Sequence, residues 1–183
     1  MALGATLYHF QIDLSDVDRG VYQALDLRVA RHPSETLRFM LARVIAYGLC
    51  FEEGIAFSKG GLSNTEEPAL SIRDPAGGLR AWIEVGSPSA DRLHKASKAA
   101  PRLVVFTHHD PALLKKVARE RPIHRVAEIE AYGLPGTLLD ALEAATERHT
   151  KWVVVHTDGE LYITVGDQTA TGAVTRFSLA DGE

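Results

Sequence analysis

The alternation of apolar and polar residues along this chain predicts a mixture of strands and helices. Thr6, Tyr8, Phe10 and Ile12 recur with period two, so they lie on one side of a first strand. The continuously apolar run 103–106 is typical of a buried strand, often a parallel one. The predicted strands are residues 4–13, 21–29, 69–73, 79–85, 103–106, 124–131, 152–156, 160–165 and 173–179.

Apolar residues at helical spacing predict four helices between these strands. The strongest pattern spans residues 34–50, where Ser34 is the expected N-cap and Glu35 adds negative charge to the first turn. The other predicted helices are residues 88–100, 110–120 and 135–148. Strands and helices alternate in the middle of the chain, and the tail has the pattern of antiparallel hairpins. We therefore expect an α/β fold with a mixed β-sheet flanked by helices.

The composition is that of an ordinary globular protein. The chain has 183 residues, of which 45% are apolar and 24% are charged, and we expect a single domain over residues 1–183. The alternation in residues 1–10 predicts a strand rather than a signal peptide, and no apolar run approaches the ~20 residues of a membrane span. The single cysteine, Cys50, excludes an intrachain disulfide and fits a reducing compartment. These features predict a cytoplasmic protein with no membrane partner.

The net charge of −4 disfavours strong non-specific binding to nucleic acid, because proteins that neutralise phosphates are usually basic. Two segments nevertheless concentrate positive charge. They are Arg28, Arg31, Arg38 and Arg43 in the first, and Lys115, Lys116, Arg119, Arg121 and Arg125 in the second. Such residues form either solvated faces or a local basic surface.

Three carboxylates and a lysine follow one another in the order of a metal-dependent phosphodiesterase site. They are Glu35, Glu67, Glu84 and Lys95. One or two carboxylates are enough to hold Mg²⁺ beside a phosphate, and a nearby lysine can stabilise the charge that develops during cleavage. Each residue also has a structural explanation: a helix first turn, a loop exit, a buried strand carboxylate with a partner, and a solvated helix surface.

Two adjacent histidines form a further candidate. His108 and His109 follow the predicted buried strand 103–106, at the edge where α/β proteins place functional groups. Adjacent residues of an extended segment point to opposite faces, so this pair is a poor metal chelate.

Several longer strings resemble the YaeQ family of small bacterial proteins. The strings are Ala30-Arg31-His32-Pro33-Ser34-Glu35-Thr36, Glu67-Pro68, Trp82-Ile83-Glu84-Val85-Gly86 and Arg92-x-x-Lys95-Ala96. They occur in order along nearly the whole chain, and the run 30–36 is the most specific. The resemblance implies a variant of the PD-(D/E)XK nuclease fold, also called the restriction-endonuclease-like fold.

The resemblance also implies roles for the site residues. Glu35 would be the acid of the first helix, Glu67 the acid of the PD element, with Glu66 as a competitor, and Glu84 the first letter of the (D/E)XK element. Gly86 stands where the pattern has lysine, and Lys95 would replace that lysine from the next helix. The implied function is a Mg²⁺-dependent nuclease with Glu67 and Glu84 as metal ligands. Its substrate would be nucleic acid. The alternative is a non-catalytic interaction protein on the same fold, linked to transcription or to a nucleoprotein partner.

Two structural expectations follow from this interpretation. Glu35, Glu67 and Glu84 should converge, because the helix 34–50 must pack over the strands that carry the other two acids. The ammonium of Lys95 should point at the carboxylate of Glu84, within direct or one-water reach.

Overall fold

The computed structural model describes residues 4–59 and 66–180, and these residues form two sheets and four α-helices. The helices are α1 (Leu37–Leu49), α2 (Ala90–Ala99), α3 (Pro111–Ala118) and α4 (Gly136–Ala145). The strands are β1 (Thr6–Asp16), β2 (Val21–Arg31), β3 (Ile55–Phe57), β4 (Leu70–Arg73), β5 (Leu79–Val85), β6 (Arg102–Thr107), β7 (Glu130–Gly133), β8 (His149–Thr157), β9 (Glu160–Val165), β10 (Gln168–Ala173) and β11 (Thr175–Phe177). None of these helices is long and apolar enough to cross a membrane.

Both sheets are mixed, so the predicted α/β class is correct, but the strands form two sheets where one was expected. The five-stranded sheet has the order β10-β9-β8-β1-β2, and its only parallel pair among the described strands is β1 with β8. The six-stranded sheet has the order β11-β7-β6-β5-β4-β3, with β5, β6 and β7 parallel. The parallel pairing of the buried strand β6 is confirmed.

The helix α1 lies between the sheets and is buried almost all round, as a helix with few polar residues requires. It packs in one core with the inner face of the five-stranded sheet, α4 and one face of the six-stranded sheet. A second core joins the opposite face of the six-stranded sheet to α2 and α3. Cys50 is a buried residue of the first core, and burial raises the pKa of its thiol to about 12.

Several predicted boundaries need correction. The helix predicted over 34–50 begins at Leu37, because Thr36 is the N-cap and accepts from the backbone N–H of Phe39. The strand predicted over 124–131 is mostly a short 3₁₀ turn over Val126–Glu128 before β7. The strand predicted over 173–179 is divided between β10 and β11, which belong to different sheets.

Candidate functional site

Three of the predicted site residues lie at one edge of the six-stranded sheet. Strand β4 begins and strand β5 ends at this edge, since the antiparallel register pairs Leu70 with Ile83. Glu67 lies just before β4, and Glu84 lies near the end of β5. The ion pair between Lys95 and Glu66 brings α2 to the same place. We call Glu66, Glu67, Glu84, Arg92 and Lys95 the edge cluster.

The carboxylate of Glu84 is engaged by two neighbouring side chains. Arg92 Nε donates to Oε2 at 2.8 Å and Arg92 Nη2 donates to Oε1 at 2.9 Å, so the pair is bidentate. The indole Nε1 of Trp82 donates to Oε1 at 2.6 Å. The guanidinium carbon of Arg92 lies 5.6 Å from the centroid of the Trp82 ring. Glu84 is only 4% exposed, and these bonds compensate for its loss of water.

The other members of the edge cluster are joined to it by further hydrogen bonds. Arg92 Nη2 also donates to the backbone carbonyl of Glu67 at 2.7 Å, and the Oε2 atom of Glu67 accepts from the Ser58 hydroxyl at 2.8 Å. The ammonium of Lys95 donates to Glu66, and this bond lowers the pKa of the Glu66 carboxyl. We expected Lys95 to face Glu84. The structure corrects this: Lys95 pairs with Glu66, and Arg92, about one helical turn earlier in α2, pairs with Glu84.

Glu35 is part of a different ion pair, on the α1 side of the sheet. Its Oε1 atom accepts from Arg43 Nη2 at 2.6 Å, and the same nitrogen donates to the Ala30 carbonyl at 3.1 Å. The side chains of Glu35 and Arg43 are 1% and 7% exposed. Burial raises the pKa of Glu35 above the usual carboxyl value, although the charge of Arg43 opposes this. The pair ties β2 to α1.

The predicted convergence of all three acids is therefore wrong. Side chains alternate between the two faces along a strand. Ile83 and Val85 of β5 pack in the core with α1, whereas Trp82 packs in the core with α2, and Glu84 shares the face of Trp82. Packing of α1 over β5 consequently places Glu35 on the face opposite to Glu84.

Position 86, where the resemblance implies a lysine, has no room for a side chain. Gly86 has a φ of +95°, and a Cβ atom there would lie 2.9 Å from Cε2 of Phe39. Phe39 is in the first turn of α1, so its ring fills the space at the end of β5. Glycine is required here both by the backbone conformation and by this contact.

The side chains of the edge cluster do not fit Mg²⁺ in this arrangement. The ion needs free oxygen ligands in near-octahedral geometry, usually one or two carboxylates with waters. Both oxygens of Glu84 already accept from Arg92. Within residues 4–59 and 66–180, no three His, Cys, Asp or Glu side chains are placed to hold a metal ion. The guanidinium of Arg92 stands where a cation would bind.

A cleft of about 540 Å³ opens at the same edge, on the α1 side. Its lining residues are Ser34, Glu35, Thr36, Arg38, Phe39, His108, His109 and Glu143. Burial, and then the charges of His109 and Arg38, lower the pKa of His108 to about 4. The Nδ1 atom of His108 is buried with no hydrogen-bond partner among the described residues. The sequence predicted that these histidines follow a strand. It did not predict the cleft, because the walls of the cleft come from segments that are distant in the sequence.

Positive charge is concentrated in the segment that forms α2, β6 and α3. Residues 91–125 contain nine Lys and Arg but only three Asp and Glu, in a chain whose net charge is −4. Lys98, Lys115 and Lys116 are exposed on the two helices, and none has an acidic partner in the described part of the chain. We call Lys98, Lys115, Lys116, Arg119 and Arg121 the α2–α3 basic face.

Part of this charge lies beside the start of α2. Arg121 forms an ion pair with Asp91 at the start of α2, and the backbone N–H of His124 donates to the ring of His94 at 3.1 Å. Partial desolvation, followed by the positive charges of Arg121, Lys98 and His124, lowers the pKa of His94. Arg121 and Lys98 therefore both lie near His94.

Comparison with known proteins agrees with the resemblance found in the sequence. The family model described as "YaeQ protein" matches residues 1–174. The chain is 36% identical over 112 residues to the "Uncharacterized protein YaeQ" of Escherichia coli (strain K12) and to that of Salmonella typhi. This match covers 61% of the chain and 61% of the length of these relatives.

Two crystal structures share the fold over nearly the whole chain. The YaeQ protein from Xanthomonas axonopodis pv. citri has a TM-score of 0.86 and 29% identity, covering 95% of this chain and 98% of that one. The YaeQ protein from Pseudomonas syringae has a TM-score of 0.84 and 30% identity, covering 98% and 97%. The fold with two mixed sheets is therefore common to these proteins, and this chain belongs to the YaeQ family.

Proposed function

We propose that this protein binds nucleic acid through the α2–α3 basic face and does not cleave it. The observation that carries the proposal is the segregation of charge. Residues 91–125 have a net charge of +6. Four of their nine cations pair with acids outside the segment, namely Arg92, Lys95, Arg102 and Arg125. The positive charge without an acidic partner among the described residues is that of Lys98, Lys115 and Lys116. Phosphate backbones bind clustered Lys and Arg through the release of counterions, and this requires a local surface, not a basic protein.

The acidic remainder of the chain restricts where a polyanion binds. An overall negative protein repels nucleic acid except where positive residues gather, so binding is confined to one face. Lys98, Lys115 and Lys116 are available for phosphates because no acid pairs with them in the described residues. The expected mode is contact with the backbone, in which sequence is read weakly.

The edge cluster supports a non-catalytic role. A nuclease of the implied type needs Glu84 to accept a metal ion, but here the carboxylate holds Arg92 and Trp82. Glu35 holds Arg43 on the opposite face. A transcription-related protein partner, which the resemblance implies, stays a prediction, and no described surface argues for it in particular.

A Mg²⁺-dependent nuclease is the second candidate function. The observation that favours it is the grouping of Glu67, Glu84 and Lys95 at one edge, as the resemblance implies. It requires Arg92 to leave Glu84 when the metal and substrate bind. The two candidates are separated by turnover, since only the nuclease breaks phosphodiester bonds.

The test is fluorescence anisotropy with labelled single-stranded DNA, duplex DNA and RNA across a series of salt concentrations. We expect binding whose affinity falls steeply with salt. In the double variant Lys98→Glu, Lys116→Glu the salt dependence should weaken by about 1 logarithmic unit per lost phosphate contact. The same samples are incubated with Mg²⁺ and Mn²⁺ and examined for cleavage products.

A matched control changes the same net charge elsewhere. Arg28→Glu with Lys151→Glu alters two exposed cations of the five-stranded sheet and should leave binding nearly unchanged. Equal losses in both double variants would mean that net charge alone governs binding, and no binding by the native protein would contradict the proposal outright. Metal-dependent cleavage that is absent in Glu84→Ala would instead establish the nuclease.

A further inference from the structure

We infer that Arg92 is the resident cation of the edge cluster and that its guanidinium excludes divalent metal ions from Glu84. The inference does not depend on the proposed nucleic-acid binding, because it concerns another part of α2. It concerns Glu84, one of the acids that would bind a metal ion in the PD-(D/E)XK pattern, and the arginine that pairs with it.

The geometry of Arg92 is that of a fixed ligand, not of a surface arginine. Its Nε and Nη2 atoms bond the two oxygens of Glu84 at 2.8 and 2.9 Å, and Nη2 also reaches the Glu67 carbonyl at 2.7 Å. The guanidinium carbon lies 5.6 Å from the centroid of the Trp82 ring, within the range of a cation–π interaction. A planar fork that matches both oxygens of a carboxylate is a contact that only arginine makes.

The charges of the edge cluster are nearly balanced without a metal. Two carboxylates, Glu66 and Glu84, lie with two cations, Arg92 and Lys95, while the carboxylate of Glu67 accepts from the Ser58 hydroxyl. Glutamates brought together in this way repel one another unless cations separate them. The guanidinium of Arg92 supplies one of the cations that this grouping needs.

A metal ion would have to displace a partly buried guanidinium. The side chains of Arg92 and Glu84 are 24% and 5% exposed. Removing Arg92 from Glu84 would leave an unpaired charge against the Trp82 ring, and charges that lose their partner away from water are strongly unfavourable. Replacing Arg92 by a smaller neutral residue removes this obstacle and frees Oε2 of Glu84, while Oε1 still accepts from Trp82.

The two tryptophans of the chain provide the experiment. Trp82 donates its indole N–H to Glu84, whereas Trp152 is buried in the other core. Paramagnetic Mn²⁺ broadens the NMR signals of nearby protons, so the two indole N–H signals in a ¹⁵N spectrum serve as a reporter and an internal control. We expect neither signal to broaden selectively when Mn²⁺ is added to the native protein.

In Arg92→Ala and in the more conservative Arg92→Gln, Mn²⁺ should abolish the Trp82 indole signal and spare that of Trp152. Adding Glu84→Ala to Arg92→Gln should remove the effect. Selective loss of the Trp82 signal in the native protein would overturn the inference, because Glu84 would then bind metal with Arg92 present. Variants that fold but show no selective loss would overturn it equally, since Arg92 would not be what keeps metal away.

Discussion

Glu35–Arg43 and Glu84–Arg92 are both carboxylate–guanidinium pairs, on opposite faces of one sheet, but they differ in access to water and in hydrogen bonding. Arg43 is 7% exposed and Arg92 is 24% exposed. Glu35 Oε2 and Arg43 Nε are buried without partners among the described residues, whereas both oxygens of Glu84 accept hydrogen bonds. The first pair is enclosed, and two of its polar atoms lack a hydrogen bond among the described residues. The second pair lies at an edge of the sheet, and both carboxylate oxygens accept hydrogen bonds.

The comparison shows that burial and engagement of an acid are separate properties. Glu35 is more deeply buried than Glu84, yet its pKa is raised because desolvation exceeds the effect of Arg43. Such a residue stabilises only while its partner remains. Glu84 is held by three donors, so losing any one of them still leaves it partly satisfied.

The largest expected effect is that of removing Arg43. Arg43→Ala leaves the Glu35 carboxylate buried without a counter-ion, and this should reduce the free energy of unfolding by about 3–5 kcal/mol. The loss should be greater at pH 7 than at pH 5, because without Arg43 the pKa of Glu35 rises further and the folded state must hold a proton. Urea unfolding followed by circular dichroism at both pH values measures it.

The control for this change is Arg43→Ala combined with Glu35→Gln, which removes the unpaired charge. Stability should recover in part, and its dependence on pH between 5 and 7 should diminish. An Arg43→Ala variant as stable as the native protein would show that Glu35 finds water or another partner, and the two pairs would then not differ as described.

A smaller effect is expected at the second pair. Glu84→Ala leaves the Trp82 indole and Arg92 without their acceptor, at a cost of about 2–3 kcal/mol for hydrogen bonds that involve a charged group. The cost should be less than for Arg43→Ala because Arg92, being partly exposed, can turn toward solvent. If Glu84→Ala proves the more destabilising of the two in the same unfolding assay, exposure does not decide the difference.

Much of the fold was predictable because apolar periodicity is a local property. The strands β4, β5, β6, β8 and β9 and all four helices lie where the alternation and helical spacing put them, within a few residues. The division into two sheets was not predictable in this way, because the parallel pairing of β1 with β8 joins segments from opposite ends of the chain. The boundary between β10 and β11 is also set by which sheet each strand joins.

The site was predictable in its parts but not in its pairing. The sequence indicated that a buried carboxylate at Glu84 would have a partner, and the Trp82 indole is one such partner. It did not indicate Arg92, because an arginine in the first turn of a helix usually lies in solvent. The alternation along β5 already implied that Glu84 faces away from Ile83 and Val85. Because those two residues pack in the core with α1, the separation of Glu84 from Glu35 could have been predicted.

Gly86, directly after β5, should also be sensitive to substitution. Gly86→Ala requires a side-chain residue at a φ of +95° and a Cβ atom 2.9 Å from the Phe39 ring. Backbone strain of this kind costs about 1–3 kcal/mol, and we expect about 2 kcal/mol here. Gly86→Ala with Phe39→Leu should recover the part of the loss that comes from the contact, as measured by thermal unfolding. No recovery would assign the whole effect to the backbone.

The smallest effect concerns pH on the α1 side of the edge. The pKa of His108 falls from 6.5 in the unfolded chain to about 4 in the folded one, so the unfolded state binds a proton first on acidification. Native stability should therefore fall as the pH decreases from 6.5 toward 4. His108→Gln cannot bind that proton, and at pH 5 it should retain about 1 kcal/mol that the native protein loses, allowing for partial exposure.

The comparison must be made as a difference between pH values, because His108→Gln also alters packing at every pH. Urea unfolding at pH 7.5 gives the packing effect alone, and the change between pH 7.5 and pH 5 gives the contribution of the proton. His109→Gln, at the exposed neighbouring position, is the matched loss of an imidazole. Parallel stability curves for His108→Gln and the native protein would mean that the ring takes up its proton in the folded state. The His108 side of the edge would then be open to water, as Arg92 is, and burial would no longer distinguish the two faces.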